Sequence, residues 1–356
     1  MKFIFFISAI LFSGREGLPE RDTNATLREV KQKSIVCFVY HRFGDKRYPT
    51  TNVPISDFES HLRYLKENNF QVLTLSQAMN YLKSNEPAMK TAVLTIDDGY
   101  KTFFTNGLPL LVKYKMPATL FFNTKTVGAS DFMNWEQLRK VKESGVEMGN
   151  HSHSHNFFLN EPVDTRYESF EREITKSQSI IKDSLHLIPK VIAFPYGEFD
   201  EKMKEIAKRT GFTCAAAQNS GVLYKGTDPF QIPRFPMSES YSSLKQFAEK
   251  TKMLPFQIID ESPNYLEIAK TESRPVFILK LNAEDLQVKN LKCFIQGSES
   301  EWKIIDQDEK EITVRIQPKS SILKRRRTLY TITAPGKTGY WYWYSRLWIN
   351  TDVKGE

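Results

Sequence analysis

From Ser34 onward, short apolar runs alternate with stretches in which apolar residues recur every three or four positions. IVCFVY (35–40) is a continuous apolar run of the kind found in strands covered on both faces. ISDFESHLRYLKEN (55–68) carries helical spacing instead. The alternation continues with strands expected at 71–75, 92–96, 118–123, 146–148, 191–194 and 212–217. Helices are expected at 76–82, 108–114, 134–144, 166–185 and 201–210. Repeated strand–helix units predict parallel strands joined by helical crossovers, laid out as an open doubly wound sheet or a closed barrel. Both layouts put chemistry at the C-terminal ends of the strands. No GxGxxG or GxxxxGK[ST] run is present, which excludes the usual phosphate-cradling loops.

The pattern changes near Pro263. From Arg274 the chain reads VFILKL, LKCFIQG, EWKIID, EITVRI, TLYTITA and YWYWYSRLWI, alternating and broken by turns. This predicts an antiparallel β-sandwich over 270–356. The rings from Tyr340 to Trp348 read first as core and second as a sugar-stacking platform, which would make this a carbohydrate-binding domain. KRRR (324–327) reads as a solvated face or turn, or as a contact with an anionic polymer. At the other end, MKFIFFISAILFSG sets one lysine before an apolar run at 3–12. That run is shorter than the roughly 20 residues a bilayer requires. It predicts a secretory signal over 1–14, a polar linker over 15–33, and export to the periplasm, cell surface or medium. The α/β domain is expected over 34–262.

Composition adds bounds. A chain of 356 residues with 40% hydrophobic and 26% charged residues is a folded protein with room for two domains. A net charge of +8 favours an anionic partner such as a membrane surface, a cell-wall polymer or nucleic acid. The chain carries no RNA-binding, zinc-finger or basic-heptad pattern, so nucleic acid is set aside. Cys37, Cys214 and Cys293 lie far apart without a CxxC, which makes them buried or free thiols and not a disulfide framework.

Three stretches carry candidate chemistry, each at a predicted strand end. In LTIDDGYKTF (94–103), Asp97 and Asp98 stand side by side where a buried strand stops. In a regular strand they would face opposite ways, but Gly99 lets the chain turn so that both reach one mouth. Adjacent acids need a counter-charge, or each raises the other's pKa. In GNHSHSHNF, His151 and His155 are four apart, which on a helical turn puts both imidazoles on one face, with His153 pointing elsewhere. Two histidines and Asp98 suit a divalent metal with positions left for water and substrate. A cation would also resolve the acid conflict, so its removal is expected to raise the pKa of at least one aspartate. In AFPYGEFD (193–200), Pro195 and Gly197 shape an unusual turn, and Tyr196 between them can aim its backbone N–H at a developing oxyanion. His61 and His186 fall on helical stretches and read as surface residues.

TIDDG, HSHSH and FPYG, in that order, resemble the three main motifs of the polysaccharide deacetylases of the NodB-homology type, carbohydrate esterase family 4. The resemblance covers about residues 34–260. It implies an irregular (β/α) barrel ahead of the small β-sandwich, and a hydrolase that removes N-acetyl groups from amino-sugar polysaccharides. It implies Asp97 as catalytic base, Asp98, His151 and His155 as ligands of one divalent ion, usually zinc, and Tyr196 as oxyanion donor. Two departures stand out. Ala193 occupies the place where the family carries an arginine that braces the base, and Arg234 in IPRFP is the candidate replacement. No histidine follows His186, so the family's late acid is missing; His41 in VYHRFGD stands in, as in the rearranged branch similar to the poly-N-acetylglucosamine deacetylases. Trp135 in NWEQL is a candidate wall of the substrate groove, with Pro195 and Gly197. Two rival readings remain open: a non-catalytic carbohydrate-binding protein of the same fold, and a deacylase of a small amide.

Overall fold

The computed structural model describes residues 32–355; the predicted signal segment and nearly all of the predicted linker lie outside them. The chain runs β1 (Ser34–Tyr40), β2 (Arg42–Phe43), β3 (Asn52–Val53), α1 (Ile55–Glu67), β4 (Gln71–Leu73), α2 (Leu75–Lys83) and β5 (Thr91–Ile96). Next come α3 (Leu108–Tyr114), β6 (Thr119–Phe122), α4 (Trp135–Glu143), β7 (Glu147–Asn150), α5 (Val163–Leu185), β8 (Val191–Ala193), α6 (Glu201–Arg209) and β9 (Cys214–Ala216). Then follow β10 (Val222–Tyr224), β11 (Phe235–Pro236) and α7 (Leu244–Lys250).

Among the described residues these strands build a nine-stranded sheet in the order β10-β1-β5-β6-β7-β8-β9, with β11 also on β1 and β4 also on β5. The neighbours from β1 to β9 along this path are parallel. Side-chain alternation sorts each strand into two layers. Ile35 and Cys37 of β1, Val93 of β5, Phe121 of β6, Ala193 of β8 and Cys214 and Ala216 of β9 share one inner cluster. Val36, Phe38 and Tyr40, with Ala92, Leu94 and Ile96, pack outward against α1, α3 and α4. The sheet curls around the inner cluster. Residues 232–236 join the two ends of the parallel run, since Ile232 bridges to Ala216 of β9 and Phe235 pairs with Phe38 of β1.

The parallel register fixes where chemistry can collect. Tyr40 lies opposite Ile96, Phe122 opposite Asn150, Asn150 opposite Ile192, and Ala193 opposite Ala216. The residues that follow these strands, His41, Asp97, Asn123, His151 and Phe194, therefore leave the sheet side by side on one rim.

The remaining strands are β12 (Leu254–Pro255), β13 (Ile258–Ser262), β14 (Phe277–Asn282), β15 (Lys292–Ile295), β16 (Ser300–Gln307), β17 (Glu311–Pro318), β18 (Arg327–Pro335) and β19 (Trp341–Ile349). They form two four-stranded sheets, β12-β19-β18-β15 and β13-β14-β17-β16. β12 and β13, which the sequence reading assigned to the α/β domain, belong to these sheets. Buried side chains of both sheets meet in a common cluster that includes Leu279, Val314, Tyr330, Ile332 and Trp348. Leu347 and Ile349 of β19, with Leu266, instead join Phe170, Ile192, Phe194, Phe199 and Met203 of the α/β part. The three cysteines are free and buried. Among the described residues no helix is long and apolar enough to cross a membrane.

Candidate active site

The parity of β5 decides the fate of the two acids. Val93, Thr95 and Asp97 share the inward face, and Asp97 is fully buried. Its partner is Arg234, also fully buried, which donates from Nη1 to Oδ1 at 2.7 Å and from Nη2 to Oδ2 at 2.8 Å. Arg234 is itself fixed through Nη1 to the Thr95 hydroxyl at 3.1 Å and through Nε to the Ala217 carbonyl at 2.8 Å. The residue proposed from IPRFP as a replacement brace thus contacts both oxygens of the acid. Burial alone would raise the Asp97 pKa, but the charges of Arg234, His151 and His41 hold it below the ordinary value.

Asp98 turns the other way. Its φ of 73° and the 80° of Gly99 are left-handed, and a Cβ on Gly99 would stand 2.8 Å from the Phe122 Cβ. The Asp98 Oδ1 lies 3.4 Å from Nε2 of His151 and 3.4 Å from Nε2 of His155, and the two nitrogens are 3.1 Å apart. All three ligand atoms fall within 4.8 Å of one another.

The two histidines do not share a helical turn. Residues 151–157 are loop, with left-handed φ at Ser152 (62°) and His155 (57°). The loop holds because Asn150 Oδ1 accepts from the Ser152 N–H at 2.7 Å and Ser152 Oγ accepts from the His155 N–H at 3.0 Å. A four-residue spacing brings the rings together by this route instead of through helix geometry. His153 turns away to the Thr124 hydroxyl at 2.9 Å, as its position two from each predicts.

The donor set fits a divalent cation. His151 Nδ1 is 2.8 Å from the Ala193 carbonyl, which can only accept, so Nδ1 carries the hydrogen and the Nε2 lone pair faces Asp98 and His155. Without a cation the same geometry demands a proton. Burial works against a charged His151, yet Asp98 and Asp97 raise its pKa. Burial and the His151 charge push His155 down to about 4. Burial would lift Asp98, but the His151 hydrogen bond and the charges of His155 and His41 hold it well below the usual range. In the protein without a cation the two acids therefore have separate counter-charges: Asp97 has Arg234, and Asp98 has the histidines.

Tyr196 occupies a one-turn 3-10 segment, Pro195–Gly197, with φ 60° and ψ 4°. Pro195 is buried, and Gly197 is left-handed at 69° with no room for a Cβ, which would meet the Gln218 backbone nitrogen at 2.7 Å. The Tyr196 ring stacks on Phe157 at 3.5 Å and meets the His155 ring edge-on at 4.4 Å. His41 is half-buried on the same rim and its charge acts on both aspartates. Trp135 opens α4 behind the Asn134–Gln137 capping box and rests edge-on against Phe122 at 6.2 Å, packed on the outer core.

His61 and KRRR correct the sequence reading. His61 is fully buried, within 3.1 Å of the Tyr40 hydroxyl and 2.7 Å of the Ser242 carbonyl; His186 is exposed, as expected. KRRR is not a solvated run as a whole, because Arg326 is 7% exposed and bound to Glu198. Arg42 and Tyr100 escaped notice. The Arg42 guanidinium lies 3.5 Å from the Tyr100 ring centre and 3.9 Å from that of Tyr48, and it meets Asp45 at 3.1 Å. Burial and the neighbouring Asp98 charge push the Tyr100 phenol pKa up. Their places directly after His41 and Gly99 are the available signal.

Residues 84–215 match the polysaccharide deacetylase family. A Bacillus subtilis protein described as a polysaccharide deacetylase, YxkH, is 26% identical over 224 residues, covering 63% of this chain and 78% of its own. A poly-beta-1,6-N-acetyl-D-glucosamine N-deacetylase of Staphylococcus aureus is 26% identical over 212 residues, 57% of this chain and 73% of its own. Among solved structures, the Streptococcus pyogenes deacetylase PplD, in complex with acetate, superposes with a TM-score of 0.57 at 20% identity. It covers 62% of this chain and 99% of its own, and at that identity the likeness speaks for the fold.

Proposed function

Residues 84–215 belong to the polysaccharide deacetylases, and from that premise we propose that this protein is an exported, zinc-dependent hydrolase that removes acetyl groups from an N-acetylglucosamine polymer. The observation that carries the proposal is the convergence of Asp98, His151 and His155 beside an arginine-bound Asp97. A divalent ion held by these three residues supplies Lewis acidity toward an acetamide carbonyl and a water of lowered pKa. Asp97 takes the proton of the attacking water. Arg234 keeps it ionised while using two of the roughly four acceptor sites of a carboxylate. The Tyr196 N–H donates to the oxyanion of the tetrahedral intermediate. His41 returns a proton to the departing amine. The Ala193 departure, which with the aromatic sandwich motivated the non-catalytic reading, loses its force because Arg234 contacts both oxygens of Asp97.

The polymer assignment draws on the Staphylococcus aureus relative, and β-1,6-linked N-acetylglucosamine is the first substrate to try. Export draws on the apolar opening of the chain. We read the two C-terminal sheets as a β-sandwich that begins at β12 and not at residue 270, with Tyr340 and Trp341, both exposed, as a rim for sugar rings or cell-wall polymer. The test is acetate release from N-acetylglucosamine oligomers and from small amides, with and without chelator. Asp97→Asn is expected to lower kcat by roughly 100- to 10,000-fold while metal stays bound. His151→Ala is expected to lose both. Equal metal loss in the two variants would sink this division of roles, and release from small amides alone would favour the small-substrate reading.

A further inference from the structure

The loop that carries Tyr196 is gripped from outside the curled sheet. Arg326, just before β18, donates from Nε and Nη2 to the two oxygens of Glu198 at 2.7 and 2.5 Å. Its Nη1 donates to the Asn160 side chain at 2.7 Å and to the Val353 carbonyl at 2.8 Å, so it has little freedom to swing away. Arg327, the first residue of β18, donates from Nη1 to the Tyr196 carbonyl at 2.8 Å. The Arg326 guanidinium also lies 4.5 Å from the Phe157 ring centre, on the ring against which Tyr196 stacks. One unbroken line of contacts therefore runs from the C-terminal sheets through Phe157 and Tyr196 to His155.

Tyr196 needs this grip. A non-glycine residue at φ 60° is in a strained region and persists only when its surroundings over-determine it. Its peptide groups also define which way the loop's N–H groups point, and an oxyanion donor must be aimed before the reaction begins. We propose that Arg326 and Arg327 are positioning residues for the deacetylation reaction: the C-terminal sheets hold the Pro195–Gly197 turn so that the Tyr196 N–H faces the site. This rests on the assignment of Tyr196 as oxyanion donor. It replaces the reading of KRRR as an anionic-polymer contact for these two arginines, while Lys324 stays exposed.

The test uses the full-length protein and three variants, Arg327→Ala, Arg327→Lys and Lys324→Ala. Arg327→Ala is expected to lower kcat by about 10- to 100-fold, the range for a residue that orients a reacting group. KM for an N-acetylglucosamine oligomer and zinc stoichiometry should stay within about twofold of the parent. Arg327→Lys should recover part of kcat, and Lys324→Ala should change nothing. Hydrogen exchange of the 196–198 amides should quicken in Arg327→Ala and not in Lys324→Ala, a readout that does not depend on turnover. Equal losses in Lys324→Ala and Arg327→Ala would mean a charge effect on an anionic polymer and overturn the proposal, as would unchanged exchange of the 196–198 amides. If the parent releases no acetate but the exchange still responds, the deacetylase reading fails and the grip on the loop stands.

Discussion

The Asp97–Gly99 turn and the Pro195–Gly197 turn stand on the same rim and are braced by the same device, a guanidinium laid across both oxygens of a buried carboxylate. They differ in where the arginine comes from. Arg234 belongs to the segment that joins β9 to β1, and it grips Asp97, the proposed base. Arg326 comes from the C-terminal sheets and grips Glu198, a residue beside the turn. Internal bracing fixes a side chain; external bracing fixes a backbone. On the proposed roles, the site needs the curled sheet for its base and the rest of the chain for its oxyanion donor.

The strongest way to break this comparison is to remove each arginine. Arg234→Ala strands a fully buried carboxylate and should cost about 3–5 kcal/mol in urea unfolding. Arg326→Ala should cost less, about 1–3 kcal/mol, because Arg327 remains 3.9 Å from Glu198. A reversed order would show that the external brace carries the fold.

Acid sharpens the internal side. Burial holds His61 at about 4 against an ordinary 6.5, so the unfolded chain takes up a proton first. Stability should be complete above pH 6.5 and fall by about 3 kcal/mol as pH drops to about 4. Asp97, held below 3.8, adds stability that is present above that pH and is lost only on further acidification. Unfolding free energies measured from pH 7 to 4 in the parent and His61→Gln check this; an unchanged slope in the variant would contradict it.

The smallest contrast is between the two glycines. Both are left-handed, so alanine costs roughly 1–2 kcal/mol at either. Gly197→Ala should cost more than Gly99→Ala, because its Cβ meets the Gln218 backbone nitrogen at 2.7 Å, whereas at Gly99 the obstacle is the Phe122 side chain at 2.8 Å. Thermal unfolding of the two variants measures the difference.

The features readable in advance were those written in local pattern. An apolar run ending in paired acids marks β5, a histidine cluster marks the end of β7, and Arg234 was reached through the family arginine missing at Ala193. His61 was misread although Phe58, His61, Leu62 and Leu65 form one buried helical stripe; the polar residue masked the spacing. The left-handed residues of the 151–155 loop were invisible because a separation of four does not distinguish a helix from a loop. Arg326 and Arg327 were invisible for another reason. Their partners Glu198 and Tyr196 lie 128 and 131 residues away, and a basic run on its own is usually solvated. The role of β12 and β13 was hidden likewise, because strand assignment near a boundary depends on which sheet offers a free edge.

Leu266, Leu347 and Ile349 sit among the side chains that cover β8 and α6. A chain shortened to its first 262 residues would lose Leu266, Leu347 and Ile349 from this cluster and open apolar surface to water, which favours self-association. The seam between the two parts is thus continuous core, and a change of volume at Leu347 or Ile349 is felt beside β8 and α6.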